Sequence, residues 1–327
     1  MPVKHYPGRH CASTAMQNLV NYQDIKWSET FCFGLGAGLG FFLIELPGFS
    51  PGSFIHVRSA DLEGQFFRRL GYPEAHRAFE DASAGESELC RLLEAGFPVL
   101  AQTDIYYLPY YNTNTHFPGH AITVWGFDRQ EEIFYITDTE RKDVLTVNFN
   151  DMRQARFCRG LFMELKGDLY YPGVIELPRD MAALCRDAIV ANSRTLVYEA
   201  GDYQGIEALA RWQSAIKGWK ELDDWQWAAR FCYQVIERRG TGGGGFRLIY
   251  AEFLEETARL LPDIVKAGLP GMMKQLGRAW RELAGALKEI SEKENPDFTP
   301  AIKHIKAVYD REAEYHHRVL NMWKEPS

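Results

Sequence analysis

Three residue types that together support nucleophilic catalysis occur in the first half of this 327-residue chain. Cys11 precedes a helical pattern, His120 begins one β-rich run, and Asp138 ends the next. A thiolate can attack a carbonyl carbon, an imidazole can carry the thiol proton, and a carboxylate can orient that imidazole. The three positions therefore predict a catalytic set for acyl-transfer chemistry.

The segment after Cys11 has the pattern of an amphipathic helix. From Ala12 to Tyr22 the apolar residues follow the i, i+3, i+4, i+7, i+8 spacing, and Pro7 and Gly8 predict a turn before them. A cysteine at the first turn lies where unpaired N–H groups and the positive end of the helix dipole lower a thiol pKa. The alternative is a cysteine that only fills the core as a small apolar residue.

Two alternating runs, HAITVWGF and IFYITD, flank the polar segment DRQEE and predict a β-hairpin. A hairpin symmetric about Arg129 places Trp125 opposite Ile133 and His120 opposite Asp138. Directly opposed residues have Cβ atoms roughly 4.5–5.5 Å apart. In that register the imidazole lies beside the carboxylate, and a slip of one residue separates them.

Other residues compete for the same roles. His116 is the rival base, because it lies four residues before His120 in the same loop, and Asp104 is the rival orienting group. Taken singly, His120 is also explained as a structural strand histidine and Asp138 as a turn residue.

Composition and charge argue against some classes of function. With 46% apolar residues, 25% charged residues and a net charge of -7, the chain is of globular type and has no Lys/Arg-rich run. Nucleic-acid partners are therefore not expected, because such partners select a basic surface. The negative charge is compatible with a small cationic substrate, and it equally serves solubility.

Cysteine usage and apolar runs indicate the compartment. The six cysteines form neither a CxxC pair nor a cluster with histidines, so no disulfide framework, metal or other cofactor is expected. The start of the chain lacks the apolar core of a signal peptide, which predicts a cytoplasmic protein. The longest apolar run, Phe31 to Ile44, is shorter than the roughly twenty residues of a membrane span. It predicts a buried segment, and no membrane partner is expected.

Pattern changes along the chain predict two domains. Residues 1–167 alternate helical and β-rich patterns, as in an α+β fold, whereas residues 178–327 are rich in Ala, Leu, Glu, Lys and Arg at helical spacing. We expect a catalytic domain at 1–167, an all-helical domain at 178–327, and a turn-rich linker near Gly167 to Pro178.

Several segments together resemble a known family. GRHCASTAMQNLVNY, FGLGAGLGF, DIYYLPYY, GHAITVWGFD and YITDT are similar to the N-terminal domain of the butirosin biosynthesis protein H family. RRGTGGGGFRLIYAEFLEE resembles the uncharacterised helical domain that follows it there. The resemblance implies a C39-like, papain-like cysteine peptidase fold. It also implies a triad of Cys11, His120 and Asp138, used for acyl transfer from an acyl carrier protein to a small amine in antibiotic biosynthesis.

The sequence departs from papain-like peptidases at one position. The glutamine expected several residues before the nucleophile, which would donate to the oxyanion, is absent, and His5, Arg9 and His10 stand nearby instead. Backbone N–H groups at Cys11 and Ala12 are the substitute donors. Arg9 and His10 either favour the thiolate or are exposed to solvent.

The resulting hypothesis is attack of the Cys11 thiolate on an acyl-thioester, followed by transfer to an amine that His120 deprotonates. The first alternative is a cysteine peptidase or amidohydrolase with the same triad, in which water accepts the acyl group. The second is a non-catalytic binding protein with a degenerate papain-like fold. The oligomeric state has no signal in the sequence.

Three further features have two interpretations each. Residues 240–245, GTGGGG, form either a flexible turn or an anion-binding loop with Arg247. The aromatic segment at 105–111 either lines a substrate cleft or packs as a loop. His316 and His317 are predicted to lie on the surface.

Overall fold

The chain divides into two compact units, of which the computed structural model describes residues 1–160, 163–199 and 201–324. The first unit comprises Met1–Cys32 and Glu63–Pro178, and the second comprises Phe33–Leu62 and the chain from Arg179 onward. Helices and strands follow in this order: α1 (Cys11–Tyr22), α2 (Glu29–Leu35), β1 (Leu39–Glu45), β2 (Ser53–Arg58), α3 (Leu62–Arg69), β3 (His76–Arg77), α4 (Ala82–Glu94), β4 (Val99–Thr103), β5 (His120–Asp128), β6 (Ile133–Thr137), β7 (Leu145–Asn148), α5 (Phe149–Arg156), β8 (Leu169–Tyr170), α6 (Met181–Val197), α7 (Gly205–Ala215), α8 (Trp225–Glu237), α9 (Arg247–Thr257), α10 (Pro262–Lys266), α11 (Leu269–Ser291) and α12 (Thr299–Met322).

The first unit is built on a six-stranded sheet. Its strand order is β3-β8-β4-β5-β6-β7, and the paired strands are antiparallel. Helix α1 packs against β5 and β4, and α4 and α5 also pack on these central strands. Ile122, Val124, Phe134 and Ile136 alternate along β5 and β6 and form a core with α4 and α5. The arrangement is mixed α and β, as the sequence predicts.

The predicted register of the β5–β6 hairpin is wrong. Asp128 pairs with Ile133 near the turn, and a β-bulge between Val124 and Gly126 changes the pairing before Thr123 meets Thr137. Trp125 is the extra residue; its buried indole donates to the Thr137 hydroxyl at 2.9 Å. His120 and Asp138 are therefore not directly opposed.

The bulge nevertheless brings His120 and Asp138 to one face. If the pairing at the turn continued without it, Asp138 would be in register with Thr123, and its side chain would project away from His120. With the extra residue, Asp138 is in register with Ile122 and becomes a diagonal neighbour of His120 on the same face. Bulges next to functional sites often re-aim a side chain in this way.

The second unit combines a β-hairpin with helices. β1 and β2 pair antiparallel, and α11 packs against α8, α9 and α12. Phe41 of β1 contacts Trp212 and Trp280, with ring centroids 5.8 and 6.0 Å apart. Within the described residues, none of the helices combines the length and the apolar character that a membrane crossing requires.

The observed units differ from the predicted domains in two places. Residues 33–62, assigned by sequence to the first domain, belong to the second unit, where Phe33 stacks on Phe246 at 5.1 Å. The apolar run that begins at Phe31 is largely buried, but most of it lies in the second unit's core. The predicted linker also contains β8, which pairs with β3 and β4 and completes the sheet.

Candidate active site

Cys11 is the first residue of α1, and the structure places it partly buried against two histidines. The side chains of His10 and His120 both act electrostatically on its thiol. His10 is the N-cap of the helix, with extended backbone angles of φ -128° and ψ 130°. The sulfur therefore lies at the positive end of the α1 dipole, where an anion is favoured.

His120 begins β5, and Asp138 follows the last residue of β6. The His120 Nε2 atom lies 2.9 Å from each carboxylate oxygen of Asp138, and both side chains are buried. Because Asp138 occupies Nε2, the Nδ1 atom is the ring nitrogen left available to the thiol. The structure thus brings the three predicted residues together in the order thiol, imidazole, carboxylate.

Further polar groups surround the Asp138 carboxylate. The Tyr110 hydroxyl donates to Oδ2 at 2.7 Å, and the Thr139 hydroxyl donates to Oδ1 at 2.8 Å. The Tyr111 hydroxyl lies 3.2 Å from His120 Nε2. The Arg141 guanidinium stacks over the Tyr110 and Tyr111 rings, at 4.9 and 5.2 Å from their centroids. Within the aromatic segment 105–111, these two tyrosines pack around the acid–imidazole pair.

The electrostatics favour a thiolate–imidazolium pair. Burial raises the pKa of the Cys11 thiol, but the charges and hydrogen bonds of His10 and His120 outweigh burial and hold this pKa well below its ordinary value. Burial lowers the pKa of His120, whereas the Asp138 and Cys11 charges raise it, to about 10. Burial raises the pKa of Asp138, but His120, Tyr110 and Thr139 lower it to about 2. Thiolate, imidazolium and carboxylate are therefore the favoured forms at neutral pH.

A buried carboxylate fixes the loop before Cys11. Glu29 Oε1 accepts the backbone N–H groups of Arg9 and His10 at 2.8 and 2.6 Å, and the Thr14 hydroxyl donates to the same atom at 3.3 Å. Gly8 passes so close that a Cβ there would lie 2.1 Å from the Thr14 hydroxyl oxygen. Because several donors converge on Glu29, the loop has little freedom to move the sulfur.

The same loop is tied to the segment after Asp138. Gly8 donates its backbone N–H to the Thr139 carbonyl at 2.9 Å. His5 Nε2 lies 2.8 Å from the Arg141 carbonyl oxygen, and His5 Nδ1 contacts the Asn18 amide. These contacts hold the chain before the thiol beside the chain after the carboxylate.

The three residues that stand where the glutamine was expected have different environments. His5 is bound to Asn18 and Arg141, and Arg9 pairs with Glu29. His10 is only 4% exposed, so the solvent-exposed interpretation is wrong for this residue.

The rival base and the rival orienting group pair with each other. His116 Nδ1 lies 2.7 Å from Asp104 Oδ2, and the His116 ring stacks on Tyr106 with centroids 4.0 Å apart. A second thiol joins them, since Cys158 Sγ lies 3.8 Å from the same Asp104 oxygen. Burial, then the Asp104 charge, raises the pKa of the Cys158 thiol to about 12. This second set therefore holds its sulfur in the unreactive form.

The glycine-rich loop of the second unit has a structural explanation. Gly240 and Gly242–Gly245 all have positive φ, and a Cβ on Gly244 would lie 2.6 Å from the Gly277 carbonyl of α11. Arg247 is fully buried and pairs with Glu312 at 2.8 Å. These residues serve packing, so the turn interpretation is favoured over anion binding.

The prediction that both C-terminal histidines lie on the surface is wrong for His316. His317 is exposed. His316 is fully buried, 2.9 Å from the Ser193 hydroxyl and 3.0 Å from Glu312.

Within residues 1–160, 163–199 and 201–324, no group of three or more His, Cys, Asp or Glu side chains is arranged to hold a metal ion.

Sequence reasoning missed two groups of the site. Tyr110 had a signal in the aromatic segment, but nothing in that segment indicated contact with Asp138. Glu29 lies 20 residues from Arg9 and 19 from His10, and no spacing rule links a helix-start glutamate to a preceding loop. Both contacts depend on tertiary packing.

Comparisons with known families cover most of the chain. Residues 10–139 match the family model described as "Butirosin biosynthesis protein H, N-terminal", a range that contains Cys11, His120 and Asp138. Residues 150–319 match the one described as "Domain of unknown function (DUF4872)". No curated protein matches the chain.

Proposed function

The chain belongs to the butirosin biosynthesis protein H family, and we propose that it is a cysteine-dependent acyltransferase of specialised, antibiotic-like biosynthesis. The proposed donor is an acyl-thioester, carried by an acyl carrier protein or a similar thiol. The proposed acceptor is a small amine, and Cys11 carries the acyl group between them. The family's printed description supports the biosynthetic context, and the rest of the proposal comes from the site.

The observation that carries the proposal is the position of the His120 imidazole between a helix-start thiol and a buried carboxylate. A thiolate is a good nucleophile toward thioesters, because one thiolate readily replaces another. The helix that carries the thiol precedes an antiparallel sheet that carries His120 and Asp138, and we assign the papain-like arrangement on that basis.

The proposed reaction has two balanced halves. The Cys11 sulfur bonds to the thioester carbonyl carbon, the bond from that carbon to the carrier sulfur breaks, and His120 gives its proton to the departing thiolate. The amine nitrogen then attacks the acyl-cysteine, His120 takes the amine proton, and Cys11 leaves as a thiolate. The thiolate–imidazolium pair is thereby regenerated, with Asp138 stabilising each imidazolium.

The six cysteines are all free, as in a reducing compartment. We propose on this ground that the protein acts in the cytoplasm.

Intact-mass spectrometry tests the proposal. The protein is incubated with an acyl-pantetheine thioester, first alone and then with a primary amine. We expect the acyl mass on Cys11 in the first case and an amide product in the second. The Cys158→Ser protein is the matched control, and it should be acylated like the natural protein.

The products also show whether an amine or water accepts the acyl group. Free acid at equal rates with and without amine would indicate a hydrolase instead. Absence of the acyl mass on Cys11 would overturn the proposal.

A further inference from the structure

Four backbone N–H groups at the start of α1 have no partner inside the helix. They belong to His10, Cys11, Ala12 and Ser13. The His10 N–H donates to Glu29 Oε1 at 2.6 Å, and the Ser13 N–H donates to His10 Nδ1 at 3.3 Å. The N–H groups of Cys11 and Ala12 have no acceptor among the residues that the structure describes. The two remaining donors are therefore those of the nucleophile and of the residue after it.

The Glu29 carboxylate fixes the chain that leads to these donors. Its Oε1 atom accepts the Arg9 N–H at 2.8 Å in addition to the His10 N–H. The Ser13 and Thr14 hydroxyl oxygens lie 3.3 Å from the same atom, and the Glu29 residue is 7% exposed. Hydrogen bonds to a carboxylate are roughly twice as strong as those between neutral groups. The turn that enters α1 is thus closed around one buried oxygen.

The carboxylate has a fixed position of its own. Glu29 is the first residue of α2, and the Ser28 hydroxyl oxygen accepts the Phe31 N–H at 3.0 Å, as an N-cap residue does. A Cβ on Gly8 would lie 2.9 Å from Glu29 Cδ, so the turn passes directly against the carboxylate. The Gly8 N–H donates to the Thr139 carbonyl at 2.9 Å. The turn is therefore held both by Glu29 and by the segment after β6.

We propose that Glu29 is a positioning residue, which holds the entry to α1 so that the N–H groups of Cys11 and Ala12 donate to the oxyanion of acyl transfer. This inference rests on the proposed acyltransferase function and adds to it a group that places the oxyanion donors. Glu29 acts through the backbone and not by contact with the reacting atoms.

The step that depends on Glu29 is the attack on the thioester. As the Cys11 sulfur bonds to the carbonyl carbon, the π electrons of the carbonyl move to its oxygen, and the N–H groups of Cys11 and Ala12 stabilise that oxygen. When the double bond forms again, the bond from carbon to the carrier sulfur breaks, and His120 gives its proton to that sulfur. Glu29 takes no part in the proton transfer.

Three variants separate positioning from general stability. Glu29→Ala removes the acceptor of both backbone N–H groups. Glu29→Gln keeps an amide oxygen of the same reach and is the conservative variant. Glu63→Ala is the matched control, because Glu63 is also a buried glutamate in the first turn of a helix of this unit, and it accepts from Gln102 at 3.3 Å.

Two reactions of Cys11 are compared for each variant. Acylation by acyl-pantetheine forms an oxyanion, whereas alkylation by iodoacetamide needs only the thiolate. Both rates are measured by mass spectrometry at pH values where alkylation has reached its plateau, and thermal unfolding is recorded in parallel.

We expect Glu29→Ala to slow acylation about a hundredfold, the typical cost of a lost oxyanion donor, with plateau alkylation within about threefold of the natural protein. Glu29→Gln accepts with a neutral oxygen, so its acylation should be about tenfold slower than in the natural protein. Glu63→Ala should lower the unfolding temperature without changing the ratio of the two rates. If Glu29→Ala does not fold, the loss in Glu29→Gln carries the test.

Acylation at the natural rate in every folded Glu29 variant would overturn the assignment. A loss of acylation that only parallels a loss of alkylation would also overturn it, since Glu29 would then act on the sulfur alone. The same holds if Glu63→Ala changes the ratio of the two rates as strongly as Glu29→Ala does. If the natural protein is alkylated at Cys11 but never acylated, the acyltransferase function itself fails, and this inference fails with it.

Discussion

The first unit contains two sets of one cysteine, one histidine and one aspartate, and they differ in which group stands in the middle. In the first set His120 lies between Cys11 and Asp138. In the second set the Asp104 carboxylate contacts both His116 and Cys158. The same three residue types are thus joined in a different order.

Whether a histidine or an aspartate stands next to the sulfur decides whether the thiol is ionised. A thiolate beside a protonated imidazole faces an opposite charge, which favours the ionised sulfur. The pKa of Cys11 is therefore held well below its ordinary value despite burial. A thiolate beside a carboxylate meets a like charge, which adds to burial in raising the pKa of Cys158 to about 12. Composition and proximity alone would not distinguish the two sets.

Exchange of each sulfur for oxygen should give the largest difference between the sets. Cys11→Ser should lower acyl transfer roughly a thousandfold or more, because a serine hydroxyl at its ordinary pKa is a poor nucleophile. Cys158→Ser should stay within about threefold of the natural rate, since this thiol is protonated at neutral pH. Steady-state amide formation measures both, and equal losses would contradict the comparison.

Removal of each imidazole comes next in expected size. His120→Gln should slow transfer by about 10²–10⁴-fold, because it removes the base and one of the two histidines that favour the thiolate. His116→Gln serves as control and should leave the rate nearly unchanged. Single-turnover acylation across pH reports the effect, and the Cys11 alkylation profile of His120→Gln should move to higher pH. A profile that stays in place would argue against the ion pair.

The carboxylates should show opposite effects on their sulfurs. Asp138→Asn removes the larger of the two charges that raise the pKa of His120 to about 10, so transfer at neutral pH should fall about a hundredfold.

Asp104→Asn removes a like charge beside Cys158, so alkylation of that thiol at about pH 8 should become faster, although burial still opposes it. Peptide mapping after alkylation measures both thiols, and slower labelling of Cys158 in Asp104→Asn would be the wrong sign.

The smallest predicted effect concerns the hydroxyl that supports Asp138. Tyr110→Phe keeps the ring under Arg141 and removes the 2.7 Å hydrogen bond to the carboxylate. One hydrogen bond to a charged group is worth about 1.5 kcal/mol, so a loss of about tenfold in rate is expected. Tyr106→Phe, next to His116, is the matched control in the other set. A larger loss in Tyr106→Phe would reverse the comparison.

Local pattern was enough to predict the elements that carry the first set. The spacing after Cys11 predicted α1, and alternation predicted β5 and β6 with His120 and Asp138 at their ends. These features depend on which face of a short segment is apolar, which the sequence states directly.

Long-range packing decided what the pattern could not predict. The predicted register failed at the turn itself, where Asp128 and not Trp125 pairs with Ile133. The bulge at Trp125, which then shifts the pairing by one residue, has no turn signal in the sequence either. Residues 33–62 joined the second unit through contacts such as that of Phe33 with Phe246, more than 200 residues away. The different order of the two Cys-His-Asp sets is likewise a tertiary property.

The most direct test of the comparison is competitive alkylation of Cys11 and Cys158 in one sample. The natural protein is treated briefly with iodoacetamide from about pH 5.5 to about pH 10, and labelling at each thiol is quantified by peptide mass spectrometry. We expect Cys11 to be labelled rapidly by about pH 6, with little further rise, while Cys158 stays unlabelled until the most alkaline samples. Labelling of both thiols in parallel, rising only above about pH 8, would contradict the account.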